Sequence, residues 1–261
     1  MRFIFSSERP RRNPKRMSDI QFWSLPGLTS YEEASELQQK LVELRAKDAI
    51  TDTILFLEHA PVITRGRGLQ QGGRVPMVGA LPPDIAFAET ERGGDLTYHG
   101  PGQLVVYPIC KLDGLGFGPR HDVTGFLRKL ERLLIDELAE LQLVAHAKAN
   151  ATGVWVADRK VASIGIAVRR WVTYHGVAIN VVNDLKPFHL ISPCGFSPEV
   201  MTRLADLVLD PLPMNTWRPW LEERLQARFS GGSSASAGSA SVEQVQELLA
   251  RNGVVAEHAQ H

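Results

Sequence analysis

Residues 151–182 read ATGVWVADRKVASIGIAVRRWVTYHGVAINVV. Three runs of strand-forming residues, TGVWVA, KVASIGIAVRR and YHGVAINVV, are divided only by Asp158-Arg159 and by the corner at Arg169 and Arg170. So short a connection joins antiparallel neighbours, whereas a parallel pair needs a crossover of a dozen residues or more. The centre of the chain is therefore an antiparallel meander and not part of a doubly wound βαβ fold. Around it, Ser30 and Glu33 form a capping box that opens a helix with Ala34, Leu37, Leu41 and Leu44 on one face. TILFLEHAPVIT reads as a buried strand that breaks at Pro61, and the Gly- and Pro-rich residues 66–84 read as a loop. LTYHGPGQLVVYPI reads as strand, break, strand. Residues 122–142 carry Phe126, Leu130, Leu133, Leu134 and Leu138 at helical spacing, and PEVMTRLADL and MNTWRPWLEERLQARF also read as helical. Helices beside a mixed, mostly antiparallel sheet give the α+β class.

The 261 residues carry 29 basic and 29 acidic side chains, so no global field draws the chain to nucleic acid or to an anionic membrane. No apolar run approaches the roughly 20 residues that span a bilayer. Cys110 and Cys194 stand 84 positions apart without a CxxC, which disfavours a disulfide framework or a cysteine zinc site and fits a reducing, cytoplasmic setting. Residues 1–17, rich in arginine, are expected to be a disordered arm or translation upstream of a start at Met17. A catalytic domain is expected over 18–229. SGGSSASAGSA, over 230–240, has the composition of a flexible linker, and 241–261 that of a short helix and tail.

Two residues stand out chemically. Cys194 lies between Pro193 and Gly195, on a bend where the chain can approach a ligand closely. Cys110 ends the strand LVVYPIC with no turn chemistry around it and reads as packing. Lys160 opens the middle meander strand and shares a face with Ala162, Ile164, Ile166 and Val168. Such a lysine either snorkels to solvent or is desolvated, with its pKa lowered, and transfers protons. RGGDLTYHGPGQ, from Arg92 to Gln103, is a glycine-rich loop without the phosphate-cradling GxxxxGK[ST] pattern. His59, His99 and His175 lack metal-site spacing and read as hydrogen-bonded core histidines. The triplet Tyr98-His99-Gly100 recurs as Tyr174-His175-Gly176; the two either flank one slot or coincide by chance.

RGGDLTYHGPGQLVVYPI, KVASIGIAV, YHGVAINV and FHLISPCG stand in the order and spacing of the lipoyl(octanoyl) transferases, and roughly residues 20–225 resemble that family. The resemblance implies the biotin/lipoate protein ligase-like fold with an acyl cleft. It makes Cys194 the nucleophile that carries the acyl group as a thioester, and Lys160 the group that lowers its pKa and shuttles protons. It makes Arg92, Gly93, Gly94, Asp95, Leu96, Thr97, Tyr98 and His99 a substrate-binding loop. Ser163, Ile164 and Gly165, with Gly176, Val177 and Ala178, match segments that line the acyl tunnel. Arg65 and Arg203 depart from the family pattern at the rim.

The activity so implied is transfer of an octanoyl (or lipoyl) group from octanoyl-acyl carrier protein to a lysine of apo lipoyl domains. The acceptors would be those of 2-oxoacid dehydrogenase complexes and the glycine cleavage H protein. No cofactor, metal or ATP is implied, and a monomer is expected. Arg65, Arg67, Arg74, Arg169 and Arg170 are candidate contacts for an acidic carrier protein. The alternatives are an ATP-dependent lipoate ligase on the same fold and a non-catalytic relative that binds acyl chains or the carrier protein.

Overall fold

A computed structural model describes residues 20–68, 81–149, 151–191 and 197–231, and the backbone of 237–239. Residues 1–17 and 241–261, Arg74 and Cys194 lie outside the described residues. In chain order the elements are β1 (Gln21–Thr29), α1 (Tyr31–Ala46), β2 (Thr53–His59), β3 (Val62–Arg65), β4 (Ala86–Glu89), β5 (Leu96–His99), β6 (Gln103–Ile109) and α2 (Val123–Glu140). There follow β7 (Ala145–Lys148), β8 (Ala151–Val156), β9 (Arg159–Arg169), β10 (Val172–Asn180), α3 (Met214–Phe229) and β11 (Ala237–Ser239). An eight-stranded sheet has the order β11-β1-β2-β6-β10-β9-β8-β7, parallel at β11-β1-β2 and antiparallel from β2 onward. A second sheet, β4-β3-β5, stands apart from it.

Side-chain alternation explains why the large sheet is covered on both faces. Along β2, Ile54 and Phe56 pack under α2 and α3, while Leu55 and Leu57 pack under α1. Along β6, Leu104 and Val106 join the first layer and Val105 and Tyr107 the second. Runs such as ILFL and LVVY are apolar throughout because neither face meets water. The capping box closes as expected: Ser30 Oγ accepts from Glu33 N, and the Glu33 carboxylate accepts from Ser30 N. The chain changes sheet at Pro61, so TILFLEHAPVIT is two strands rather than one.

PEVMTRLADL does not form a helix. It makes two short 3-10 turns, Pro198–Val200 and Leu204–Asp206. Between them the Thr202 N–H donates to the Lys160 carbonyl at 3.0 Å, and the Thr202 carbonyl accepts from Asn180 Nδ2 at 3.0 Å. A continuous helix would forfeit both bonds. Within the segment read as a linker, Ala237–Ser239 pair in parallel with β1.

Two ion pairs, one half-buried and one buried, tie the layers together. Arg218 of α3 donates to Glu58 of β2 at 3.2 Å and to the Leu25 carbonyl of β1, while the other Glu58 oxygen accepts from Gly102 N at 2.8 Å. Asp52 accepts from Arg45 Nε at 2.6 Å, from Lys111 N at 3.0 Å and from Phe117 N at 3.3 Å. It thereby joins the end of α1, the start of β2 and the loop after β6. Asp52→Ala leaves a buried guanidinium and two amides without this acceptor. It is expected to lower the free energy of unfolding in urea by about 3 kcal/mol; a loss below 1 kcal/mol would mean the junction is held by packing alone.

Candidate functional site

A cleft lies where the β9–β10 hairpin meets β5, β6, the loop 90–95 and the start of α1. It is narrow, with about 40 Å³ of internal space, and opens to solvent at its mouth. Lys160 lines one end and is only 4% exposed, so it does not snorkel. Its slot is opened by Gly153 on β8. A Cβ there would lie 2.5 Å from Lys160 Cε and 3.2 Å from Nζ, and φ is +137°, which side chains of L residues rarely adopt. The Gly153 N–H donates to Glu131 of α2 at 3.1 Å, and Lys160 Nζ lies 5.6 Å from the centre of the Trp155 ring.

From Lys160 the wall continues along β9 through Ser163, Ile164 and Gly165, and along β10 through Ala178, Val177 and Gly176. Gly165 and Gly176 are register partners. Both are small because other backbone lies on them. A Cβ on Gly165 would come within 2.9 Å of the Gly93 carbonyl, and one on Gly176 within 2.2 Å of the Val106 carbonyl. The Gly93 N–H donates to the Ile166 carbonyl at 2.9 Å, which straps the loop across the hairpin. Arg92 shapes that strap from within, donating to the carbonyls of Thr64 and Asp95, each at 2.8 Å.

Strand alternation divides the loop expected to bind substrate. Arg92, Gly93, Gly94, Thr97 and His99 line the cleft. Leu96 and Tyr98 turn away into a separate apolar cluster with Ile63 and Phe188, and Asp95 packs against Gly68. His99 and His175 both line the cleft, so the repeated Tyr-His-Gly triplets flank one slot through their histidines. The second tyrosine, Tyr174, instead donates to Glu91. Sequence reading did not single out Tyr31, Val105 or Tyr107, which also line the cleft. Tyr31 carries no signal beyond being the first residue after the Ser30 cap, and Tyr107 none beyond its parity with Val105.

The aromatic side of the cleft is polar and neutral. The Thr29 carbonyl accepts from His59 Nδ1–H at 2.9 Å, which leaves Nε2 to accept from the Tyr107 hydroxyl at 2.7 Å. The Gln103 amide nitrogen donates to the Tyr98 carbonyl and to Asn180 Oδ1, so its oxygen accepts from His99 Nδ1–H at 2.7 Å. The His99 tautomer is thus fixed, with the Nε2 lone pair left over. Burial pulls the His59 pKa down to about 4 and that of His175 to about 3, and it holds His99 well below its ordinary value. The Arg92 charge adds to the depression at His99 and His175. His175 also sits at φ +57° in mid-strand, in the left-handed region, with its N–H donating to Gln38 Oε1 at 2.6 Å. Strained backbone of this kind collects at functional sites.

Of the rim arginines, Arg65 pairs with Glu89, Arg67 and Arg169 with Glu91, and Arg170 with Glu43. Arg203 pairs with Asp206. The expected acidic-partner contacts are therefore already compensated within the chain. Cys110 is fully buried, and burial pushes its thiol pKa up, as befits a packing residue. Among the described residues no helix is long and apolar enough to cross a membrane.

The architecture is that of the biotin/lipoate ligase-like fold. Solved structures of lipoate-protein ligase A bound with ATP (TM-score 0.58, 13% identity, 90% of this chain and 97% of that one) share it. So does a bi-partite lipoate protein ligase from Thermoplasma acidophilum (TM-score 0.59, 15% identity, 93% and 99%). At such identities the likeness speaks for the fold alone. A family model of the lipoyl protein ligase A/B catalytic domain matches residues 30–226. An octanoyltransferase of Geobacter metallireducens is 43% identical over 192 residues, covering 74% of this chain and 85% of its own. One from Dictyoglomus thermophilum is 45% identical over 175 residues, covering 67% and 72%. The chain belongs to the lipoyl protein ligase A/B catalytic domain family.

The three buried histidines bear on stability. Each binds its proton less readily folded than at its unfolded pKa near 6.5, so the unfolded state takes up more protons as pH falls. Stability is therefore fully present above about pH 6.5 and drains as pH falls toward 4, each histidine adding a slope of up to about 1.4 kcal/mol per pH unit. Urea midpoints measured from pH 7 to pH 4.5 should fall steadily; a flat series would show that the rings protonate in place.

Proposed function

We propose that the protein is an acyltransferase that moves an octanoyl group from acyl carrier protein to a lysine of apo lipoyl domains in protein lipoylation. The donor is octanoyl-acyl carrier protein. The acceptors are lipoyl domains of 2-oxoacid dehydrogenase complexes and the glycine cleavage H protein, and the enzyme works as a monomer in the cytoplasm. The observation that carries the reading is a lysine 4% exposed at the head of a cleft walled by glycine backbone and aliphatic side chains. Family membership and octanoyltransferase relatives that this chain matches over most of their length give its context.

In the reaction the Cys194 thiol gives its proton to Lys160 Nζ, and the thiolate attacks the carbonyl carbon of the octanoyl thioester. The new C–S bond forms as the bond to the carrier breaks, and the departing thiolate takes the proton back from Lys160. One thioester replaces another, so the step is close to isoenergetic and needs no ATP. The acceptor amine, having lost its proton to Lys160, then attacks the Cys194 thioester. A C–N bond forms, and the Cys194 sulfur leaves and is reprotonated. A buried lysine amine can take and return a proton in this way. The loop from Arg92 to His99 and the segments around Gly165 and Gly176 hold the acyl chain.

Intact-mass spectrometry after mixing with octanoyl-acyl carrier protein tests this directly. The wild type should gain one octanoyl group on Cys194 and discharge it to an apo lipoyl domain, while Cys194→Ala gains none. Lys160→Ala should slow loading by a hundredfold or more, the usual share of a general base. Acyl transfer only from free octanoate with ATP and magnesium would replace the transferase reading with a ligase one. Gly153→Ala should likewise cost about a hundredfold in transfer, since displacing a catalytic group by about 1 Å costs that much. Transfer within threefold of wild type would mean that Gly153 does not set the lysine's position.

A further inference from the structure

A chain of buried hydrogen bonds runs from the main chain of Lys160 to the opposite wall of the cleft. The Lys160 carbonyl accepts from Thr202 N, and the Thr202 carbonyl accepts from Asn180 Nδ2, each at 3.0 Å. Asn180 Oδ1 accepts from Gln103 Nε2 at 2.9 Å, and Gln103 Oε1 accepts from His99 Nδ1–H at 2.7 Å. Asn180 and Gln103 are register partners on β10 and β6, each 1% exposed, and Asn183 Nδ2 donates to the same Asn180 oxygen at 3.2 Å. His99 is thereby held at the Lys160 end of the sheet, where Ile179, the residue before Asn180, pairs with Ala162. It lines the cleft, and its Nε2 takes no hydrogen bond among the described residues. The neighbouring histidines differ. His59 spends both ring nitrogens, on the Thr29 carbonyl and the Tyr107 hydroxyl, while His175 pairs with Ile166, well along β9 from Lys160.

We infer that His99 is a second proton-transfer group of this site, taking a proton from the acceptor lysine as the amide forms, and that Gln103 and Asn180 are its positioning residues. The inference rests on the acyl transfer proposed above. An alkylammonium that becomes an amide sheds two protons, and Lys160 accounts for the first. Attack by the neutral amine forms the C–N bond and leaves its nitrogen cationic on a tetrahedral carbon. His99 Nε2 accepts a proton from that nitrogen, and the imidazolium passes it to the Cys194 sulfur as the C–S bond breaks. The thiol is restored, and the proton held by Lys160 goes to water, so one proton is released for each amide formed. Nitrogen on a tetrahedral carbon is far more acidic than a free ammonium, so a weakly basic imidazole suffices. Between turnovers an imidazolium would repel the incoming ammonium, and burial keeps the ring uncharged. Loading does not use this route, because the departing carrier thiolate takes its proton back from Lys160.

Single-turnover experiments followed by intact mass read the two half-reactions apart: loading from octanoyl-acyl carrier protein, and discharge of the loaded enzyme to an apo lipoyl domain. His99→Gln keeps a polar side chain without the imidazole. It should slow discharge at least about tenfold more than it slows loading, a conservative share for a proton-transfer group. Gln103→Met, which leaves the ring unheld, should do the same by about fivefold. Hydroxylamine, an amine already uncharged at neutral pH, serves as a second acceptor. Its attack demands less of a base, so the deficit of both variants should shrink at least about threefold with it. Equal slowing of loading and discharge would make the relay a structural support and overturn the inference, as would a deficit of the same size with both acceptors. If His99→Gln does not fold, Gln103→Met decides by the same ratios. A wild type that loads and discharges, with both variants keeping its ratio, sinks the inference alone. A wild type that takes up no octanoyl group sinks the transferase reading, and the inference with it.

Discussion

The centre of this molecule is organised around burying one ammonium-bearing side chain inside a β-sheet. Lys160 occupies a place on β9 where the neighbouring positions are aliphatic, and a lysine is rarely buried without compensation. Room for it comes from the missing Cβ of Gly153 on the adjacent strand. The Gly153 backbone, at a φ open to glycine, is held by Glu131 reaching across from α2. On the other side, the Lys160 carbonyl is capped by Thr202, from a segment that gives up helical structure to reach it. The helix behind the sheet, the glycine of β8 and the irregular chain after Val200 thus converge on the same side chain.

A second close approach builds the cleft itself. Two register-paired glycines leave the β9–β10 hairpin bare at its middle, and the loop carrying Arg92 to Gly94 lies directly on that gap. The Glu91 carboxylate fastens the loop to the hairpin by accepting from Tyr174 and from Arg169 at 3.0 Å. Its pKa is drawn down by the Tyr174 hydrogen bond first and by the arginine charges after it. The strap is therefore held by an ionised group at neutral pH, while the histidines beneath it are held uncharged by burial.

Much of this was legible in the sequence, and the reasons are local. The meander followed from its short turns, α1 from the Ser30–Glu33 box, and the loop's approach to the sheet from the density of glycine. The segment after Ser197 was misread because its apolar spacing suits a helix, while the bonds that unwind it come from Lys160 and Asn180, residues distant in sequence. Parity alone decides that Thr97 and His99 face the cleft while Leu96 and Tyr98 do not, and parity depends on a register set by β3. Tyr31 and Tyr107 were invisible for a related reason. Each joins the cleft only because α1 crosses the sheet face that β6 presents, and no motif records that crossing.

The charges at the mouth and the neutrality inside follow from the same economy of solvation. Around the rim every described arginine named as a candidate contact already faces a carboxylate, and pairs so exposed contribute little to stability. They are easily exchanged for another acidic surface, since an incoming carboxylate replaces one of equal charge. Inside, exchange is not available. A guanidinium at Arg92 is fixed by backbone carbonyls, and the rings around it carry no charge that could screen or repel a ligand. An uncharged acyl chain can thus enter without displacing an ion pair, and what selects it is the fit of alkyl carbon to glycine and aliphatic walls. Discrimination in such a site rests on the few polar atoms it meets at its ends, because removing a hydrogen-bond partner costs more than adding a methylene contributes.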